Sequence, residues 1–130
     1  MFIDRMINQG AAPVIEQVLK FSSARQKLLA DDVANIDTPD YVTKDMSVSK
    51  FQNALAERIA GSNGDARGEG LADIDVDENS TKDGILFHDG NNRSVEQLMT
   101  DGMKNALTHN LMVELLKRQF ATMELALQQK

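Results

Sequence analysis

The last third of this 130-residue chain carries the pattern that most limits its fold. Apolar or small side chains recur there at steps of three and four residues from Val95 to Leu127, and only His109 interrupts them. Ser94 followed by Gln97 is a capping-box pattern that predicts where this segment begins. The periodicity predicts an amphipathic helix about 50 Å long. An apolar seam of that length needs a second helix to cover it.

The N-terminal third predicts that second helix. Seven positions spaced by four and three residues run from Ile15 to Ile36, and all are apolar except Ser22 and Gln26. A proline in the first helical turn loses no hydrogen bond, whereas the residue before a proline is pushed out of helical geometry. Residues 13–35 are therefore predicted to form a helix, because this range begins at one proline and ends shortly before the other.

These two segments define the predicted fold class. It is mainly α, with two long terminal helices packed antiparallel as a coiled-coil-like pair and a small irregular β-containing middle segment. Residues 1–41 form the N-terminal helix and turn of the helical core, residues 42–93 the irregular middle, and residues 94–130 the C-terminal helix.

The middle segment gives weaker signals. Apolar residues four apart predict a short helix over about residues 49–60. Residues 41–48 are predicted to be extended, and short strands are predicted around residues 74–76 and 85–87. Glycine-rich residues 61–70 have the composition of a flexible linker.

Composition excludes several classes of function. The chain has five Phe, one Tyr and no Trp, so its core must be aliphatic and Met-rich, which suits helix packing. A net charge of −6 disfavours a nucleic-acid-binding face. The lack of cysteine excludes disulfides, zinc–thiolate sites and thiol nucleophiles.

No residue pattern predicts catalysis, a cofactor or a metal site. Asp73, Asp75 and Asp77 have the opening spacing of a calcium loop, but Glu78 and Gly84 occupy the positions that require glycine and glutamate. The two histidines lie on different elements without a neighbouring ligand. We therefore expect neither an enzyme nor a metal protein.

The sequence also predicts no membrane span and no secretory signal. No apolar run approaches the roughly 18–20 residues that a bilayer requires. Asp4 and Arg5 interrupt the apolar residues at the N-terminus.

Residues 28–41, with the sequence LLADDVANIDTPDY, resemble a known signature. Flagellar axial proteins, which form rod, hook and hook-junction, carry the pattern A-N-x-x-T-P-G-Y at the end of their N-terminal helix. This chain matches it from Ala34 to Tyr41, except that Asp40 replaces the usual glycine. If the turn needs a positive φ at that position, aspartate tolerates it better than most residues.

Within that family the chain is similar to the FlgB-type proximal rod proteins. It is short, it has no large inserted domain, and residues 89–92 and 105–120 resemble the C-terminal segment of that group. The resemblance implies a structural subunit that assembles helically into the torque-transmitting shaft for motility.

The same resemblance implies where the protein is found and what it contacts. It implies export by the flagellar type III apparatus without signal cleavage and a place in the periplasmic part of the basal body. The implied partners are further copies, other rod proteins, the rod-to-membrane-ring adaptor and membrane-ring components, with no nucleic acid and no direct membrane insertion. Another axial subunit and a soluble coiled-coil export chaperone remain as alternatives.

The residues predicted to form the assembly interface lie on both helices and on the turn. Gly102 permits two interpretations, either close approach of another helix or a tolerated irregularity that costs about 1 kcal/mol relative to Ala. The predicted positions are Ile15, Leu19, Leu29, Val33, Asn35, Asp37, Pro39, Tyr41, Gly102, Val113, Leu116, Phe120 and Met123.

Overall fold

The computed structural model of the chain describes residues 11–62 and 94–129. Three helices make up most of them: α1 spans Ala12–Ala34, α2 spans Val48–Ser62 and α3 spans Val95–Gln128. All three lie within a few residues of the ranges predicted from periodicity. The mainly helical fold class is confirmed for this part of the chain.

The ends of α1 and α3 follow the local signals in the sequence. Pro13 lies in the first turn of α1. At the start of α3, Gln97 donates its backbone N–H to Ser94 Oγ at 3.2 Å, and Ser94 donates its own N–H to Gln97 Oε1 at 3.4 Å. This reciprocal capping box satisfies two N–H groups that a helix start would otherwise leave unpaired.

The helices α1 and α3 pack against each other, as predicted, and they run antiparallel. Gln26 contacts Asn105, whereas Ser22, one turn earlier on α1, contacts His109, one turn later on α3. Leu29 and Leu98 are 2% and 1% exposed. Complete burial of such side chains contributes about 1.5–3 kcal/mol each, so these two residues anchor one end of the pair.

The short helix α2 is held to α1 by a small aromatic cluster. The rings of Phe21 and Phe51 stack with centroids 4.1 Å apart and planes inclined by 12°. Met46 completes this buried cluster, and half-buried Leu28 and Leu55 pack around it. Two of the chain's five Phe residues thus join α1 to α2.

The predicted β content is not confirmed. Within the described ranges there is no strand, and residues 41–47, the last part of the connection from α1 to α2, have one isolated bridge position at Asp45. The first two residues of the predicted linker over 61–70 are the last two of α2. The rest of that linker and the strands predicted around 74–76 and 85–87 lie outside the described residues.

Candidate assembly surface and the corner after α1

The signature residues build a compact corner where α1 ends. Asn35 donates both its backbone N–H and its side-chain Nδ2 to the carbonyl of Asp31, at 3.0 and 2.8 Å. Thr38 then donates its N–H to Asn35 O at 2.9 Å, and Tyr41 donates its N–H to Thr38 O at 3.2 Å. The asparagine closes the helix, and two successive turns reverse the chain behind it.

Asp40 has a φ of 60°, and it is the one non-glycine residue with positive φ in the described ranges. This is the position at which the axial-protein signature has glycine. Left-handed backbone costs about 1–2 kcal/mol for most L-residues, and less for Asp and Asn, which can bond locally. The departure from the signature therefore keeps the turn at a small conformational cost.

Tyr41 folds back onto α1 through a buried carboxylate. Its hydroxyl donates to Asp32 Oδ1 at 3.1 Å, and the backbone N–H of Lys44 donates to the same oxygen at 3.0 Å. Asp32 is fully buried. Burial of the phenol, followed by the negative charge and hydrogen bond of Asp32 and the charge of Asp31, raises the pKa of Tyr41.

A buried ion pair fixes the next few residues of the connection. Arg25 donates Nε and Nη2 to the two carboxylate oxygens of Asp45, at 2.8 and 3.0 Å. Asp45 Oδ1 also accepts the N–H of Met46 at 2.8 Å. Burial lowers the pKa of Arg25, but the hydrogen bond and charge of Asp45 and the charge of Asp101 outweigh it, so the pKa is raised.

Sequence reasoning identified Tyr41 and Asn35 but missed two charged residues of α1, Asp32, which accepts the hydroxyl of Tyr41, and Arg25, which pairs with Asp45. Arg25 and Asp32 are seven residues apart, which places them on one face of α1 beside the apolar stripe. Two opposite charges at that spacing, on the buried side of an amphipathic helix, were the sequence signal that could have predicted these buried charged residues.

A second feature is an exposed apolar ridge along α3. Six large apolar side chains, each four residues after the last, are between 38% and 69% exposed. Side chains four apart form an oblique row on a helix surface, which is the kind of row that packs into the groove of another helix. We call this row the α3 ridge; it comprises Val95, Met99, Met103, Leu107, Leu111 and Leu115.

The predicted interface residues fall into three groups by exposure. Ile15 and Leu29 are buried by packing within the chain. Half-buried positions are Leu19, Asn35, Tyr41, Gly102, Val113, Leu116 and Met123. Val33, Asp37, Pro39 and Phe120 are exposed, Phe120 by 50%.

These residues do not form one continuous site. The corner residues lie at the C-terminal end of α1, and the antiparallel pairing sets that end beside the first turns of α3. Val113, Leu116, Phe120 and Met123 lie towards the other end of α3. The α3 ridge extends between the two groups, and periodicity alone does not distinguish it from the seam that faces α1.

Gly102 is not required for the approach of α1. A Cβ atom built on this residue meets no atom of residues 11–62 or 94–129 within 4 Å. Close packing inside the chain therefore does not explain the glycine, and its predicted role in assembly stays a prediction.

No cluster of three metal-binding side chains occurs in residues 11–62 or 94–129. None of the three helices is both long enough and apolar enough to cross a membrane. The aspartates at 73, 75 and 77 lie outside the described residues.

Together the corner and the α3 ridge define an α-helical protein with an uncovered apolar surface. No protein-family profile matches the chain. The chain is 26% identical over 120 residues to the flagellar basal body rod protein FlgB of Bacillus subtilis (strain 168), and the match covers 91% of this chain and 93% of that protein. This similarity confirms the resemblance to FlgB-type rod proteins, and it extends over nearly the whole chain.

Proposed function

We propose that this chain is a structural subunit of the bacterial flagellar basal-body rod, of the FlgB-type proximal kind, and that it has no enzymatic activity. The observation that carries the proposal is the similarity to a rod protein over 91% of the chain. The corner supports it, since residues of the axial-protein signature make the hydrogen bonds that shape the end of α1.

The α3 ridge is the surface through which the subunit assembles. Contiguous exposed apolar surface is uncommon on monomeric proteins and marks interaction sites. Contacts between different surfaces of neighbouring subunits generate a ring when the rotation closes and a helical filament when it does not. The ridge therefore packs against neighbouring copies or other rod proteins in a torque-transmitting shaft.

The remaining partners and the location follow from the same proposal. The subunit is exported by the flagellar type III apparatus without cleavage and lies in the periplasmic part of the basal body. There it meets other rod proteins, the rod-to-membrane-ring adaptor and membrane-ring components. It binds no nucleic acid and does not insert into the membrane.

Leu107→Asp tests the assembly surface. Leu107 is 69% exposed, so the substitution should leave the isolated fold within about 0.5 kcal/mol of the parent. In the assembled rod the same carboxylate would be buried without a partner, which is costly enough to prevent docking. We expect normal expression and helical content but no swimming in soft agar.

Thr122→Asp is the matched control. Thr122 is exposed and lies on α3 seven residues beyond Leu115, the last residue of the ridge, so it introduces the same charge outside the proposed contact. Swimming with Leu107→Asp would refute the ridge as an assembly surface. Equal loss in both variants would also refute it, because added charge anywhere on α3 would then suffice.

A further inference from the structure

The polar interruptions in the two apolar seams contact each other. Asn105 is 4% exposed and donates its side-chain amide to Ser22 O at 2.8 Å and to Gln26 Oε1 at 2.9 Å. One turn further along α3, His109 Nδ1 lies 2.8 Å from Ser22 Oγ. We call these four residues the polar clasp. It joins the two positions that break the α1 stripe to the histidine that breaks the α3 stripe.

The residues one heptad away from the clasp on α1 are all apolar. If α3 slipped by seven residues in one direction, Asn105 would face the positions of Ile15 and Leu19. A slip in the other direction would place it against Leu29 and Val33. None of these side chains accepts a hydrogen bond, so the buried amide would lose its side-chain partner in either register.

The apolar part of the seam discriminates much less between these registers. On α3, the residues seven before and seven after Asn105 are Leu98 and Met112, and both are apolar. A slipped pair would therefore still bring aliphatic side chains together. In helix pairs with heptad-like seams, a single buried asparagine is the best-attested device that selects one register.

We propose that Asn105, through its bonds to Ser22 and Gln26, determines the register in which α1 and α3 pair. It is a positioning residue, because it sets the position of the α3 ridge along the helix axis relative to the corner at the end of α1. The proposal concerns the single chain and is tested without assembly into a rod.

Pulsed electron–electron double resonance measures the distance between two spin labels, and this distance reports the register of α1 against α3. The chain has no cysteine, so labels attach only to cysteines introduced at two exposed positions, Ser23 on α1 and Lys117 on α3. A slip of one heptad changes the axial separation of the labels by about 10 Å. The parent chain should give one narrow distance distribution.

Three variants in this labelled background decide the question. Asn105→Leu should add distances displaced from the parent value, because leucine packs equally well in the slipped registers. Asn105→Leu combined with Met112→Asn moves the amide by one heptad and should shorten the distance, because residue 112 would then face Ser22 and Gln26. Asn110→Leu, at an exposed position, should leave the distribution unchanged.

The parent distance retained in both Asn105 variants would overturn the proposal. If Asn105→Leu alone loses its helical circular dichroism signal, the combined variant still tests the register, because it restores a buried amide opposite the polar positions of α1. A shortened distance in that variant supports the proposal, and the parent distance contradicts it.

Discussion

Replacing Arg25 with methionine removes the guanidinium from a bidentate ion pair inside the chain. The side chains of Arg25 and Asp45 are 11% and 3% exposed, and their two contacts measure 2.8 and 3.0 Å. Asp45 also accepts the N–H of Met46. The pair therefore connects the middle of α1 to the segment that leads into α2.

Breaking a buried ion pair from one side costs about 3–5 kcal/mol, because the remaining charge stays buried without its counter-ion. A small domain has about 5–15 kcal/mol of total stability, so Arg25→Met should remove much of it. With a urea m-value of about 1–3 kcal/mol/M, the unfolding midpoint should fall by at least about 1 M. Far-UV circular dichroism at 222 nm follows this transition directly.

Two controls test whether the loss of stability comes from leaving a buried charge unpaired. Lys20→Met breaks the exposed pair with Glu16, whose contact is 3.2 Å and whose side chains are more than half exposed, and it should cost no more than about 0.5 kcal/mol. Arg25→Met with Asp45→Leu removes both charges and should recover most of the loss. The reasoning is refuted if Arg25→Met costs as little as Lys20→Met.

Three further predictions concern the corner and the glycine of α3. Asp40 has a φ of 60°, so Asp40→Gly should raise the urea midpoint slightly. Asp40→Val should lower the free energy of unfolding by about 1–2 kcal/mol. Equal stability of the two variants would contradict the left-handed turn. Tyr41 is the only tyrosine, so absorbance at 295 nm should show its phenol titrating at higher pH in the folded chain than in urea. Because the folded pKa is raised, the contribution of Tyr41 to stability should be constant below about pH 10 and fall above it, and Tyr41→Phe should lose that part of the pH dependence. Gly102→Ala should stabilise the chain by about 1 kcal/mol, because the added methyl meets no atom of the described residues within 4 Å. The same substitution should abolish swimming if another subunit packs there. A less stable chain would mean that α1 lies closer than the structure has it.

Much of the helical framework could be predicted, because periodicity and capping are local properties of the chain. The alternating steps of three and four predicted α1 and α3 to within about two residues, and Ser94 with Gln97 marked the start of α3. The signature also located the corner, where Asn35 and Tyr41 make the bonds that shape it.

The contacts that specify the fold were less accessible to sequence reasoning. Periodicity reports which side of a helix is apolar, but not which residues of a partner lie opposite. It therefore could not reveal that Asn105 meets Ser22 across the seam, or that Arg25 pairs with Asp45 twenty residues later. For the same reason Ile15 and Leu29, predicted as interface residues, could not be told apart from the exposed α3 ridge before the pairing was known.

The central claim is that this chain is a component of the rod. Purified basal bodies, analysed by quantitative mass spectrometry with isotope-labelled peptides of this chain, test it most directly. We expect the chain at a fixed stoichiometry with the other rod subunits, and basal bodies without a complete rod in cells that lack it. A chain that is abundant in the cytoplasm but absent from purified basal bodies would contradict the account and favour an export chaperone.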